Sequence, residues 1–142
     1  MKSLTKIILV TVMISMLVLY SLPANALTST VYVSAGTTGY TNDSSTASKA
    51  RSKCDITLEF VQFSYYPPNN IPSTYYVYAW LSTSSGHAKA TNTAAFSSLS
   101  AQYPSYYSGY GGEGTSYVLA SNTDLGIYYS ARFDWTANGQ AA

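Results

Sequence analysis

From Leu125 to Trp135 the chain alternates in character with period two. Leu125, Ile127, Tyr129, Ala131, Phe133 and Trp135 fall on one face, and Tyr128, Ser130, Arg132 and Asp134 on the other. A helix would scatter that apolar set around its axis, whereas a half-buried strand gathers it on one side. The period recurs upstream. Val31 and Val33 share a face within Thr28 to Ala35, a run ended by Gly36. Within Ser73 to Ser84, Tyr76, Tyr78 and Trp80 oppose Tyr75, Val77, Ala79 and Leu81, so this strand is apolar on both faces and suits the centre of a sheet. Thr115 to Ser121 reads as a further strand, followed by a turn at Asn122-Thr123-Asp124. The expectation is an all-β fold, an antiparallel β-sandwich or small barrel of about five to six strands.

Arg51 to Tyr66 is the longest strand candidate, and its parity changes midway. Cys54, Ile56, Leu58 and Phe60 share one face, but Val61, Phe63 and Tyr65 take the other. A bulge near Phe60-Val61 would restore a single apolar face, because one extra residue flips every later side chain. The alternative is a strand end buried on both sides. Pro67, Pro68 and Pro72 remove ladder donors and stop the strand. Residues 37–50 read as a loop or irregular edge, and Ser84-Ser85-Gly86 as a turn before a short segment from His87 to Thr91. In Thr93 to Tyr103 the spacing of Ala95, Phe96, Leu99 and Tyr103 predicts a helical turn or two before Pro104, against three serines that weaken it. Residues 103–114, rich in Gly, Tyr and Ser, read as a loop.

The N-terminal segment is of another kind. Lys2 and Lys6 precede an apolar run from Ile7 to Leu22, broken by Pro23 and followed by Ala24-Asn25-Ala26. This is the pattern of a cleaved signal peptide over residues 1–26, with Ala24 and Ala26 as the small residues at the cleavage site. The run is shorter than the roughly 20 residues that cross a bilayer comfortably. Residues 27–142 are then one released β domain with no membrane span, secreted to an extracellular location. The chain of 142 residues is only 9% charged, and removing the leader with its two lysines leaves five basic and six acidic side chains. No basic excess remains to neutralise phosphates, which argues against nucleic acid as a partner.

Cys54 is the only cysteine, so no intramolecular disulfide can staple this exported domain. Alternation puts it on the apolar face as a small buried hydrophobe. Exposed instead, beside Arg51 and Lys53, it would be a reactive thiol or an intermolecular disulfide partner. Catalytic groups are sparse. His87 is the sole histidine, and no nucleophile-elbow motif accompanies Cys54 or any serine. Asp55 and Glu59, at i and i+4 on a strand, lie about 13 Å apart by strand rise, too far for the two-carboxylate geometry of glycoside hydrolysis. One histidine and one cysteine do not make a structural zinc site. The reading is a non-catalytic chain with no metal and no cofactor.

Tyrosine is what the chain has in excess, 15 residues in all. It supplies a flat apolar surface and one hydroxyl at little entropic cost. Strand tyrosines have cross-strand packing as their ordinary role. Tyr103, Tyr106, Tyr107 and Tyr110 have no strand register to claim them, and they form the candidate aromatic recognition surface. Tyr128-Tyr129, Phe133 and Trp135 near the C-terminus, together with the alanine-ended leader, resemble small secreted proteins of Gram-positive bacteria, the lactococcin-972-type bacteriocins and related secreted β-sandwiches. The mature chain here is longer and lacks their histidine-rich, basic character. The resemblance implies an exported antibacterial protein acting at a target cell envelope.

The expected function is therefore binding of a cell-surface or extracellular partner, a glycan or a protein, in a bacteriocin-like manner. Two alternatives stand beside it. One is a structural or matrix protein self-associating through strand edges. The other is a carbohydrate-binding module in which exposed tyrosines and Trp80 stack on sugar rings.

Overall fold

The computed structural model describes residues 26–139. Residues 1–25 of the leader, Ala24 among them, and the last three residues lie outside the described residues. Nine strands follow one another: β1 (Leu27–Val33), β2 (Gly39–Tyr40), β3 (Ser45–Thr46), β4 (Asp55–Phe63), β5 (Val77–Thr83), β6 (Ala94–Phe96), β7 (Ala101–Gln102), β8 (Ser116–Thr123) and β9 (Tyr129–Thr136). They form two antiparallel sheets. The first runs β1-β9-β4-β7, and the second runs β2-β8-β5-β6 with β3 also paired to β8. β2 and β3 are two pieces of one edge strand. Between them Thr41 keeps the ladder whole, its amide donating to the Leu119 carbonyl (2.9 Å) and its Oγ1 accepting the Leu119 amide (3.1 Å).

The inner faces of both sheets meet in one core. Val31, Val33, Ile56, Leu58, Val61, Phe63, Ala131, Phe133 and Trp135 come from the first sheet, and Val77, Ala79, Leu81, Phe96, Tyr117 and Leu119 from the second. Phe96 meets Phe133 across the sandwich with ring centroids 6.0 Å apart. The Tyr129 hydroxyl shares a 2.8 Å hydrogen bond with Ser121, tying β9 to β8 inside the core. This arrangement of aligned apolar faces is how an antiparallel sandwich gains stability without a staple.

The parity change in β4 is a bulge. Leu58 pairs with Phe133 and Phe60 with Arg132, so Glu59 is the extra residue and points into solvent. Ile56, Leu58, Val61 and Phe63 consequently all face the core. The bulge lies one residue before the expected Phe60-Val61 position. β5, apolar on both faces, sits between β8 and β6 as its pattern requires.

The helical turn expected over 93–103 does not form. Ala94 and Phe96 enter the ladder with Ala79 and Val77, leaving Ala95 outward beside Tyr78. Burying Phe96 completely at the sandwich centre outweighs a weak local helical spacing interrupted by serines. The strand expected from Leu125 starts only at Tyr129. Leu125 is buried from a preceding loop, held at its start by the Thr123 hydroxyl.

Candidate functional site

The outer face of the second sheet is lined with aromatic rings. β5 alternates inward Val77, Ala79 and Leu81 with outward Tyr78, Trp80 and Ser82, and Tyr76 continues the outward row just before the strand. The Tyr76 and Tyr78 rings lie nearly parallel, with centroids 6.0 Å apart and planes 28° from each other. Across the sheet, Trp80 and Tyr40 flank Ala120 in register. Ala120 points away from the core, yet it is wholly buried. Large outward rings thus stand on β5 and on β2, on either side of Ala120.

Each ring is held by a neighbour. The Trp80 indole Nε1 donates to Ser82 Oγ at 3.1 Å, and Lys89 Nζ lies 5.0 Å from the centre of its ring. Lys89 also donates to Thr93 Oγ1 at 2.5 Å, which fixes the ammonium beside the indole. The Tyr78 hydroxyl donates to Asp124 Oδ2 at 2.8 Å, and that bond holds the Tyr78 phenol above its ordinary pKa. The turn after β5 is closed by Thr83, whose carbonyl accepts the His87 amide. His87 adopts φ +53°, and its imidazole lies against Tyr40 with ring centroids 4.1 Å apart. The result is a fixed aromatic floor, rimmed by one ammonium, one carboxylate and several hydroxyls.

The 103–110 segment has a different character from the free loop expected of it. Its backbone is stitched to two distant stretches. Cys54 donates to the Pro104 carbonyl (3.0 Å), Tyr106 to Ser52 (2.9 Å), Tyr107 to Ala90 (2.9 Å), and Asn92 to Ser105 (2.9 Å). Tyr106 and Tyr110 pack against the core. The Tyr106 ring meets Tyr117 at 5.3 Å and its hydroxyl donates to the Ala137 carbonyl at 2.9 Å. Desolvation pushes its phenol well above the ordinary range. Tyr103 and Tyr107 are exposed. The four tyrosines thus divide, two serving as anchors for the fold and two facing solvent, because the partners of the anchors come from residues far away in sequence.

Cys54 is completely buried, with its thiol directed at the Pro104 carbonyl at 3.6 Å. Burial raises its pKa to about 12. Burial therefore favours the neutral thiol over the thiolate at neutral pH. His87, on the surface against Tyr40, is not its partner. Incubating the folded protein with iodoacetamide between pH 7 and pH 9 is expected to leave Cys54 unmodified by mass spectrometry, with complete labelling only in denaturant. Labelling of the native protein would show that the segment around Pro104 opens.

Among the described residues, no three His, Cys, Asp or Glu side chains gather where they could hold a metal ion. Sequence reasoning placed Tyr76, Tyr78 and Trp80 on one side of a strand but did not find Tyr40, His87 and Lys89 beside them. Their neighbourhood depends on which strands pair, and no local pattern reports that. Comparison of the chain with protein-family models, with curated proteins and with solved structures finds no match to any of them.

Proposed function

We propose that this chain is an exported, non-catalytic β-sandwich that binds a polysaccharide outside the cell through the ring layer of its second sheet. The observation that carries the reading is the row Tyr76, Tyr78, Trp80 on a sheet face, extended by Tyr40 across a buried alanine. Pyranose units with equatorial substituents present flat C–H faces that stack on aromatic rings, while their hydroxyls need donors and acceptors at the rim. Asp124, Lys89, Thr93 and the tyrosine hydroxyls supply those. A single-stranded nucleic acid would also stack, but it needs a positively charged track, and the mature chain carries one more acid than base. The alanine-ended leader supports export.

Retention on insoluble cellulose and on chitin tests the reading. Wild-type protein is expected to be depleted from solution by at least one of them. Trp80→Ala is expected to weaken that retention by about tenfold or more, equivalent to about 1.4 kcal/mol or more, because it removes the indole, a large flat apolar face of the row. Equal retention of the variant, or no retention of the wild type on either solid, would defeat the proposal. Circular dichroism of the variant checks that its fold is intact.

A further inference from the structure

The outer face of the first sheet carries a second aromatic feature. Tyr32, Ser130 and Gln62 are adjacent across β1, β9 and β4 in one row. Tyr128 lies beyond Ser130, and together with Ser34 and Ser64 these residues line a cleft of about 310 Å³. Tyr32 is 78% exposed and Tyr128 63% exposed. Rings held that far into water add little to the fold, in contrast to the buried Tyr117 and Tyr129.

The floor between them is rigid. Gln62 Nε2 donates to the carbonyls of Phe63 and Tyr66, both at 2.8 Å, so its carboxamide is fixed. Ser64 donates from its amide (3.1 Å) and its hydroxyl (3.0 Å) to the Tyr128 carbonyl, which holds the segment carrying that ring. Gln62 Oε1, the Ser130 hydroxyl and the two phenol hydroxyls have no hydrogen-bond partner among the described residues. No carboxylate, ammonium or guanidinium lines the cleft.

We infer that this cleft is a second binding site, which takes one or two neutral pyranose units of a polysaccharide between Tyr32 and Tyr128. The absence of formal charge along the lining selects a neutral ligand, because a charged one would lose its hydration without a counter-charge. Two exposed ring faces above a floor of hydroxyls and one fixed amide oxygen match the alternating C–H and O–H surfaces of a sugar. The volume lies at the lower end of the roughly 300–1,000 Å³ typical of ligand sites, which limits the occupant to a short stretch of chain. Because the cleft and the ring layer lie on opposite sheets, one molecule engages two separate glycan strands and cross-links them. The ligand class rests on the proposed function, while the cleft itself does not.

Amide NMR titration of the 27–142 protein with cellotetraose and with chitotetraose tests this, using wild type, Trp80→Ala and the double variant Tyr32→Ala/Tyr128→Ala. In wild type, one of these sugars at millimolar concentration is expected to shift the amides of Ser34, Ser64 and Ser130 as a group separate from Tyr78, Trp80 and Ala120. The first group is expected to keep its affinity in Trp80→Ala and to weaken about tenfold or more in the double variant, equivalent to about 1.4 kcal/mol or more. Unmoved Ser34, Ser64 and Ser130 amides with both sugars, or shifts there that survive unchanged in the double variant, would overturn the inference. Failure of the ring-layer reading alone would look different, with Tyr78, Trp80 and Ala120 silent while the cleft responds.

Discussion

Truncating Trp135 to alanine is expected to lower folding stability by about 3–5 kcal/mol. The indole is 1% exposed, in the row of inward β9 side chains with Phe133 and Ala131. Removing it opens a cavity that neighbours fixed in two sheets are poorly placed to fill. Its Nε1 donates to Ser29 Oγ at 3.1 Å, and that bond is lost as well. Ser29 is not orphaned, because its own hydroxyl donates to Asp43 Oδ2 at 2.8 Å, so cavity formation dominates the cost. For a domain with a total stability of about 5–15 kcal/mol, a loss of this size removes about a fifth or more. Urea unfolding should show a lower midpoint with an unchanged slope. Tyr32→Ala, at a site 78% exposed, serves as the control and should stay within about 0.5 kcal/mol of wild type. A Trp135→Ala loss below about 1 kcal/mol would mean that the sandwich centre is not packed as described.

Gly111→Ala is expected to be of comparable severity for a different reason. Gly111 has φ +80°, a conformation that costs an L-residue about 1–2 kcal/mol. A methyl group there would also lie 2.4 Å from the Arg51 carbonyl oxygen and 2.9 Å from the Tyr106 ring. The carbonyl cannot withdraw easily, because the Arg51 amide donates to the Gly111 carbonyl at 2.9 Å and the two backbones are joined. The Gly111 amide donates to the Tyr117 hydroxyl at 2.7 Å, so displacement would also leave a buried phenol without its bond. A loss of about 3 kcal/mol or more is expected. Gly114→Ala isolates the conformational part, since Gly114 has φ +78° but open space around it. It should cost only about 1–2 kcal/mol. Equal thermal shifts for the two variants would show that the close approach to Arg51 carries no weight.

The contacts of Gly111 with Arg51 and Tyr106 bear on the candidate surface. Residues 103–111 look like an unstructured tyrosine-glycine loop only while their partners are unknown. Those partners are Ser52, Cys54, Ala90 and Asn92, all remote in sequence, and they hold the segment as an irregular extension of both sheets. Tyr106 is therefore an anchor, and the outward aromatic row lies on β5 instead. Helical spacing around Phe96 misled for a related reason. A three-residue strand has too few alternations to declare itself, and its pairing with Val77 to Ala79 outweighs local preference.

Period-two alternation was enough to place the core. Val31 and Val33, Ile56 and Leu58, Val77 to Leu81, and Phe133 with Trp135 all bury the face their pattern assigns, and the parity break in β4 announced its bulge. Each of those properties follows from side chains a few residues apart on one strand, where geometry is set by the pleat alone. Which strands become neighbours is another matter. That Tyr40 meets His87, that Tyr40 and Trp80 stand on either side of Ala120, and that Tyr32 and Tyr128 line one cleft depend on pairings between segments far apart in the chain. Those pairings are chosen by the joint burial of both sheets, a quantity no single stretch of sequence contains.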